Sequence, residues 1–363
     1  YATAIGELHI LSSASTDAKE EQEGNLFLHP IHPWKIFRVR ALARRAHTLT
    51  LAYGIEVISA QDPFEHGLAA LRAMRGTSVK LHVQVHTDFL SPWFVRIDTW
   101  RDIRVWLLNS YRRRIADRVL PVADGIRVVS ERVKTSLIAR YKARPSEIIG
   151  QSHGAGIPEP SVIPVAVSTE VPLPSPLPAH TFKFALIAVG RLESEKRIGD
   201  ILKALKLVVK QYPMAGLFIV GDGRERGRLE RITRSFNLEK HVVFLGERSD
   251  APALMGSAQA FIQASAYEGY GRTLIEAALA KVPIITTDVG IVGDVFKDHK
   301  SALVSPVADP KALSVSITRI IEDTRMRQEL PMHADAAAHT HLTAAGDLPT
   351  RIASDLERVL KHS

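Results

Sequence analysis

With 363 residues, 45% of them hydrophobic and 24% charged, the chain has the balance of a globular protein large enough for two domains, which excludes a fibrous or intrinsically disordered polymer. It contains no cysteine, so disulfides, thiolate metal sites and a cysteine nucleophile are excluded and a reducing compartment fits. Lys and Arg outnumber Asp and Glu by 47 to 39, and the net charge of +8 is spread over short clusters: Arg38-Val39-Arg40, Arg44-Arg45, Arg112-Arg113-Arg114 and Arg224 to Arg234.

Such a diffuse excess suits an anionic ligand, an acidic membrane surface or nucleic acid, although each cluster alone reads as solvated surface. No apolar run is long enough to span a bilayer and no secretory signal is apparent, so a cytoplasmic location is expected, with peripheral membrane association as a variant of it. The first residue is Tyr1, and the chain opens almost directly into the apolar run Glu7 to Leu11, as though a segment upstream had been removed or never sequenced.

Short β-branched or aliphatic runs alternate with longer amphipathic segments. In chain order the pattern predicts a strand at 8–12, a helix at 35–53, a strand at 57–59, a helix at 65–74, a strand at 80–85, a helix at 101–116 and a strand at 125–129. Seven prolines between 157 and 178 (Pro158, Pro160, Pro164, Pro172, Pro174, Pro176 and Pro178) then break the rhythm and read as a stiff linker. The alternation restarts with a strand at 184–189, followed by a helix at 198–211, a strand at 216–220, a helix at 224–236 and strands at 242–245 and 260–263. A helix at 273–280, a strand at 284–286 and a helix at 311–323 follow. The Ala-rich stretch 333–345 reads as a weak helix or loop, and 348–360 as a final helix with Pro349 in its first turn. Strand, helix, strand at this spacing predicts an α/β protein with parallel sheets covered on both faces. The expected division is a first domain over 1–165, a linker over 166–180, a second domain over 181–345 and a terminal helix over 346–363, which could cross back to the first domain.

Three clusters in the second half could carry chemistry. The first, Gly190-Arg191-Leu192-Glu193-Ser194-Glu195-Lys196, follows a strand and precedes a helix. Ligands of open α/β sheets bind beyond the carboxyl ends of strands, and Arg191 with Lys196 at a helix N-terminus suits a diphosphate; an exposed loop with ordinary charges reads equally well. The second, Tyr267-Glu268-Gly269-Tyr270-Gly271-Arg272-Thr273-Leu274-Ile275-Glu276, follows the strand at 260–263. Its glycines let backbone amides approach a ligand, Thr273 or the glycine loop could start the next helix, and Glu268 and Glu276 could accept hydrogen bonds from sugar hydroxyls. The bland alternatives are a helix-dipole partner for Glu268 and a helix-surface acid for Glu276. The third, Gly221-Asp222-Gly223, fails the dinucleotide fingerprint because position 226 is Arg, and reads first as a tight strand-to-helix turn. In the first half, Asp62, His86, Asp88 and Ser130 stand at strand ends; Asp62, His86 and Asp88 could bind sugar hydroxyls or orient an acceptor, although capping aspartates and a structural histidine are the commoner readings. Ser130 reads as an N-cap with Glu131 in the first turn.

From about 184 to 312 the chain resembles the retaining glycosyltransferases of family four, which have the GT-B fold. The likeness rests on Gly-Arg-Leu…Lys at 190–196, Gly-Asp-Gly at 221–223, Val-Val-Phe-Leu-Gly at 242–246, Glu-Gly-Tyr-Gly…Glu at 268–276 and Pro-Ile-Ile-Thr-Thr-Asp-Val-Gly at 283–290. The first half is similar to the same family more loosely, through Gln61-Asp62-Pro63, His86-Thr87-Asp88-Phe89 and Ala123-Asp124 to Ser130.

The resemblance implies two Rossmann-like domains facing each other across a cleft, the first on the acceptor side and the second binding a UDP-, GDP- or ADP-sugar, with a glycan or lipid-linked acceptor. No cofactor, no metal and no nucleic-acid partner are expected. Arg191 and Lys196 match the family's diphosphate pair, Glu276 the acid on the donor ribose, and Glu268 the acid beside the donor sugar. His86 matches the first-domain histidine near the sugar hydroxyls. Gly190, Gly221, Gly223, Leu245, Gly269, Tyr270, Gly271, Arg272 and Thr273 fall in the donor-binding motifs, and Asp62 and Asp88 on the acceptor side. The family transfers sugar with retention, and cations at 191 and 196 would stabilise charge on the leaving phosphate. Two positions depart from the pattern. Arg272 stands where an apolar residue is more usual, and the chain reads as though it starts near the family's second strand, so that the family's opening strand and Gly-rich loop are not expected in it. A non-catalytic nucleotide-sugar-binding protein and a GT-B epimerase or phosphorylase are the competing readings; no pyridoxal-type lysine signature favours the last.

Overall fold

A computed structural model describes residues 6–13, 19–96, 103–143, 156–170, 172–179 and 181–361. The chain divides into two units, one formed by 1–164 with 345–363 and the other by 165–344.

The first unit contains a parallel sheet of four strands in the order β4(Val57–Ala60)-β5(Lys80–Val85)-β6(Gly125–Val128)-β7(Ser161–Val162). A second sheet has the order β1(Leu8–Ser13)-β3(Leu26–Ile31)-β2(Glu21–Glu23), with β1 and β3 parallel and β2 antiparallel to β3. Helices α1 (Arg38–Tyr53), α2 (Glu65–Ala73) and α3 (Ile103–Val119) pack in sequence, α2 between the other two. Helix α4 (Glu131–Ala143) starts as the sequence suggests: Ser130 Oγ accepts from Val133 N at 3.4 Å. Both faces of the four-stranded sheet are covered, which is why β5 is buried from Leu81 to Val85.

Helix α11 (Leu348–Lys361) lies on β4, β5 and β6. It is held by a buried polar chain. Gln84 Nε2 donates to Ser59 Oγ (3.0 Å), and Ser59 Oγ in turn pairs with His82 Nδ1 (2.8 Å). His82 Nε2 donates to Asp355 (3.1 Å), which also accepts from Ser161 (2.5 Å) and Arg358 (2.9 Å). Burial opposes ionisation of Asp355, but the hydrogen bonds from His82 and Ser161 outweigh it and hold the carboxyl below its ordinary range.

The second unit is a six-stranded, wholly parallel sheet in the order β10(Val242–Gly246)-β9(Ala215–Val220)-β8(Phe184–Val189)-β11(Ala260–Ile262)-β12(Ile284–Thr287)-β13(Leu303–Ser305). The chain runs outward from β8 through β9 to β10 and then returns to β11 on the other side of β8. Strand order therefore reverses between β8 and β11. Helices α5 (Ile198–Val208), α6 (Arg226–Ser235), α7 (Ala251–Met255) and α8 (Arg272–Leu279) connect the strands, and α9 (Pro310–Glu322) follows the last of them. One apolar cluster, including Leu186, Ile201, Leu205, Leu217, Ile262 and Ile317, joins the sheet to α5 and α9.

Several expectations are corrected. The Pro-rich stretch is not a connector throughout: Ser161–Val162 is β7, and Ile163 N donates to Val128 O at 2.9 Å. Proline biases its predecessor toward extended backbone, so the same residues that exclude a helix permit an edge strand. Further along, Ser175 N donates to Ala253 O at 3.1 Å within the second unit. Of the two readings of 333–345, the structure has the helix: the stretch is the end of α10 (Thr324–Ala345), which starts nine residues earlier than expected and runs through Pro331. Leu330, Ala334, Ala338 and Ala345 are buried on one face, with Pro331 buried beside them, and that packing together with alanine's propensity carries the helix past its proline. The strands β2, β3 and β13 and the five-residue α7 were not anticipated. Residues 101–102 of the expected helix at 101–116 lie outside the described residues.

The seating of α11 is testable at Gly125, where an added Cβ would lie 2.3 Å from Val359 Cγ2. Gly125→Ala is expected to cost about 1–3 kcal/mol, and less than the sum of the single effects when combined with Val359→Ala; strictly additive losses in chemical denaturation would contradict the contact. Asp355→Ala is expected to cost about 3 kcal/mol. Because the Asp355 pKa is depressed, its contribution is present above about pH 3.8 and is lost as pH falls through the folded pKa, so wild type and variant should converge in strong acid.

Candidate functional site

Reversal of strand order leaves a crevice at the carboxyl edge of an α/β sheet, because the loops on either side lead away from each other. In the second unit that point lies between β8 and β11. The loop after β8 carries Gly190, Arg191 and a short helical turn, Ser194–Lys196; the loop after β11 carries Ser265, Glu268 and the glycine turn. The two loops are tied by Ala266 N donating to Glu195 O at 2.7 Å.

Across this junction Lys196 Nζ donates to Glu268 Oε1 at 2.5 Å, and Ser265 Oγ donates to the same oxygen at 2.7 Å. Both charged side chains are mostly buried, at 19% and 15% exposure. Lys196 passes over Gly190, whose Cβ would lie 3.9 Å from Lys196 Cε. An ammonium has three donors, so one bond to Glu268 leaves two for another anion. Arg191, next to Gly190, is 76% exposed and among the described residues reaches only Glu195, at 3.5 Å. The positive loop therefore has one cation buried beside a carboxylate and one extending into solvent.

The glycine turn is shaped by packing. Gly271, at φ 97°, caps α8, and Thr273 Oγ1 donates instead to Gln263 Oε1 at 2.8 Å, so Thr273 does not start the helix. Gly290, at φ 58°, lets the loop after β12 pass so closely that a Cβ there would be 2.2 Å from Tyr270 O. Tyr270 is buried and its hydroxyl pairs with His341 Nε2 of α10 at 2.9 Å; burial pushes its pKa up to about 12. Its side chain thus belongs to the core beneath the turn, and only its backbone borders the loop. Glu276 sits in the second turn of α8 and accepts from Arg272 Nε at 2.7 Å.

The Gly221 and Gly223 positions are explained without a ligand. A Cβ at Gly221 would lie 2.0 Å from Gly190 O, and one at Gly223 2.5 Å from Leu192 O. The loops after β8 and β9 are zipped by Gly190 N to Val220 O (3.0 Å) and Leu192 N to Asp222 O (2.8 Å). Leu245 is half-buried in β10, two strands from the crevice.

In the first unit, Asp62, His86 and Asp88 stand at the carboxyl ends of β4 and β5. Asp62 Oδ1 accepts from Phe64 N (2.8 Å) and His66 N (3.2 Å), and Oδ2 pairs with His66 Nδ1. The Asp62 carboxylate thus fastens the start of α2. Asp88 is buried, burial raises its pKa, and its Oδ1 has no hydrogen-bond partner among the described residues. His86 Nε2 contacts Gln84 Oε1 at 3.1 Å, and Arg127 Nη1 donates to the same oxygen at 2.9 Å. Arginine can only donate, so it fixes the Gln84 amide with its oxygen toward His86. His86 Nε2 must then be the donor, which leaves Nδ1 as an acceptor on the neutral ring. Burial, and then the Arg127 charge, lower the His86 pKa and favour that neutral form.

The structure thus brings Lys196 and Glu268 into contact, with Gly190 and Arg191 beside them and the glycine turn following. Glu276 engages Arg272 instead, and His86, Asp62 and Asp88 belong to the other unit. Two polar residues escaped the sequence reading. Ser265 is buried and fixes Glu268; Gln263 is buried at the end of β11, and its Nε2 has no partner among the described residues. Their position between a strand and a glycine turn was visible, but not the direction of their side chains.

Comparison with known proteins identifies the ancestry of this arrangement. The family profile "Glycosyl transferases group 1" matches residues 176–336, and "Glycosyltransferase Family 4" matches 6–150. An uncharacterized glycosyltransferase of Methanocaldococcus jannaschii is 32% identical over 105 residues, 29% of this chain and 26% of that protein. Glycogen synthase of Mycobacterium tuberculosis is 28% identical over 167 residues, 46% of this chain and 39% of that one. The alignments thus span about a quarter to two fifths of these curated relatives. Among solved structures, sucrose-phosphate synthase of Thermosynechococcus elongatus superposes with a TM-score of 0.78 at 18% identity, covering 98% of this chain and 89% of that one. The Anabaena protein HepE, solved with UDP-glucose, gives a TM-score of 0.69 at 19% identity, covering 90% and 86%. At these identities the structural likeness speaks for the fold. With one family profile on each half and two parallel α/β units beneath them, the chain belongs to the group 1, family 4 glycosyltransferases of GT-B fold.

Proposed function

We propose that the protein transfers a sugar from a nucleoside-diphosphate sugar to a glycan or lipid-linked acceptor, with retention of anomeric configuration. The observation that carries this reading is the Lys196–Glu268 contact at the strand-order reversal, where a cation and a carboxylate are held together among glycine-rich loops. A diphosphate would take the two remaining Lys196 donors and the exposed Arg191 fork, and Glu268 would accept from a hydroxyl of the donor sugar. Glu276 would accept from the ribose hydroxyls while sharing its charge with Arg272. Gln263 Nε2, which has no partner among the described residues, is a further donor at the same strand end. In the first unit, the neutral His86 would accept a sugar hydroxyl through Nδ1, and Asp62 and Asp88 would serve the acceptor side.

In the reaction the bond from the sugar C1 to the phosphate oxygen breaks and a bond from C1 to the acceptor oxygen forms on the same face. The acceptor proton passes to the leaving phosphate. Lys196 and Arg191 stabilise the charge that grows on that phosphate, which is where a preorganised cation lowers the barrier. A nucleotide-sugar donor is supported by the Anabaena protein of the same fold, which was solved with UDP-glucose. The chain's own residues leave uridine, guanosine and adenosine open.

Donor choice follows from a thermal-shift panel of UDP-, GDP- and ADP-sugars, since a ligand that binds only the native state raises its melting temperature. With the donor so chosen, Lys196→Ala is expected to lower kcat about a hundredfold or more, and Glu276→Ala to weaken donor binding about tenfold to a hundredfold. Full activity in both variants would dismiss the site; donor binding with no transfer to any acceptor would leave a nucleotide-sugar-binding protein. The pH profile carries a separate expectation. Since the His86 pKa is lowered from 6.5, a role of its neutral ring persists at pH 6.5 and fails only at lower pH. An acid limb in kcat/KM that lies below pH 6.5 and disappears in His86→Ala is expected; a limb above that pH, or one unchanged in the variant, would contradict it.

A further inference from the structure

We infer that the first unit docks on an anionic phospholipid surface through the turn before α1 and the solvent face of α3. The turn exposes Trp34, Ile36 and Phe37, with Trp34 78% and Ile36 80% accessible. It continues into a helix with four arginines and no acid, Arg38-Val39-Arg40-Ala41-Leu42-Ala43-Arg44-Arg45, whose outward row is Arg40, Arg44, Thr48 and Leu51. Helix α3 repeats the pattern: Arg104, Leu107, Leu108, Tyr111, Arg114 and Arg118 recur at helical spacing and are all exposed. Its single acid, Asp117, is already paired with Arg140 at 2.8 Å. A helix face that is merely solvated carries mixed charges and few large apolar groups. These two faces carry cations and large apolar groups instead.

The two helices flank α2, and each sends an arginine to its first turn. Arg112, adjacent to Tyr111, pairs with Glu65 at 2.9 Å, and the charge of Arg38, adjacent to Phe37, acts on His66. Glu65 and His66 are neighbours in the first turn of α2, the helix between α1 and α3. Interleaved arginine with Trp, Tyr, Ile and Leu is the chemistry of a bilayer interface, where phosphates face the guanidinium groups and the apolar side chains enter the acyl boundary. None of the described helices is long and apolar enough to cross a membrane, so the contact is peripheral. The proposal stands apart from the proposed function, because it uses none of the residues assigned there to the donor or the acceptor.

The test is flotation of the chain with vesicles of phosphatidylcholine alone and of phosphatidylcholine mixed with phosphatidylglycerol. Binding is expected to the mixed vesicles, at least about tenfold stronger than to the neutral ones, and to weaken as salt rises. Trp34→Ser with Ile36→Ser should lower it at least about tenfold, as should Arg40→Glu with Arg44→Glu. All four residues are exposed, so an unchanged melting curve and an unchanged donor-induced thermal shift are expected in both variants. Absence of binding to mixed vesicles, equal binding to neutral ones, or variants that float like the wild type would overturn the proposal. So would a dimer in light scattering that the same substitutions dissolve, since the apolar faces would then join two copies of this chain.

Discussion

In the second unit the chain leaves β8 for one side and comes back beside it on the other, and the proposed sugar transfer depends on how closely the two returning loops are held. The Lys196 ammonium spans that gap to the Glu268 carboxylate, with Ser265 bracing the acid and the Ala266 to Glu195 backbone bond closing the junction behind it. A cation and an anion that are both mostly buried cost desolvation energy, and each is tolerable because the other is there. Held in that way, the pair is preorganised for a ligand that carries phosphate at one end and hydroxyls at the other.

The glycines around the pair have a division of labour. Gly221 and Gly223 allow the loop after β9 to lie against the loop after β8, so that Arg191 and Lys196 project from a doubly supported turn. Gly290 allows the loop after β12 to support the backbone at Tyr270, whose ring is anchored beneath by His341. Rigidity of this kind fixes where backbone amides and charges point before a ligand arrives, which lowers the cost of binding. The first unit shows the same economy at His86. One buried arginine orients one amide, and that amide selects the tautomer of the imidazole.

Much of this framework was legible in the sequence for a physical reason. A parallel strand buried on both faces is often a short unbroken apolar run, which located β8 to the residue, whereas β5 was legible through the alternation of Leu81, Val83 and Val85 with polar residues. The site motifs were legible because glycine, arginine and acidic residues at strand ends are poor choices for a core. What escaped lacked such a pattern. β2, Glu21–Glu23, is wholly exposed and polar, and β7 is two residues inside a proline-rich stretch. The continuation of α10 past Pro331 depended on the tertiary burial of Leu330, Ala334 and Ala338. The pairing of Glu276 with Arg272 follows from helical spacing and could have been read in advance; the contact of Lys196 with Glu268 spans 72 residues and could not.

Hydrogen–deuterium exchange with and without a saturating nucleoside-diphosphate sugar tests the central claim most directly, because backbone amides report where the ligand sits without altering any residue. The account predicts new protection in the segments 190–197 and 263–276 of the second unit, on the two sides of the strand reversal. Protection confined to other segments, with these two exchanging as in the free protein, would contradict it.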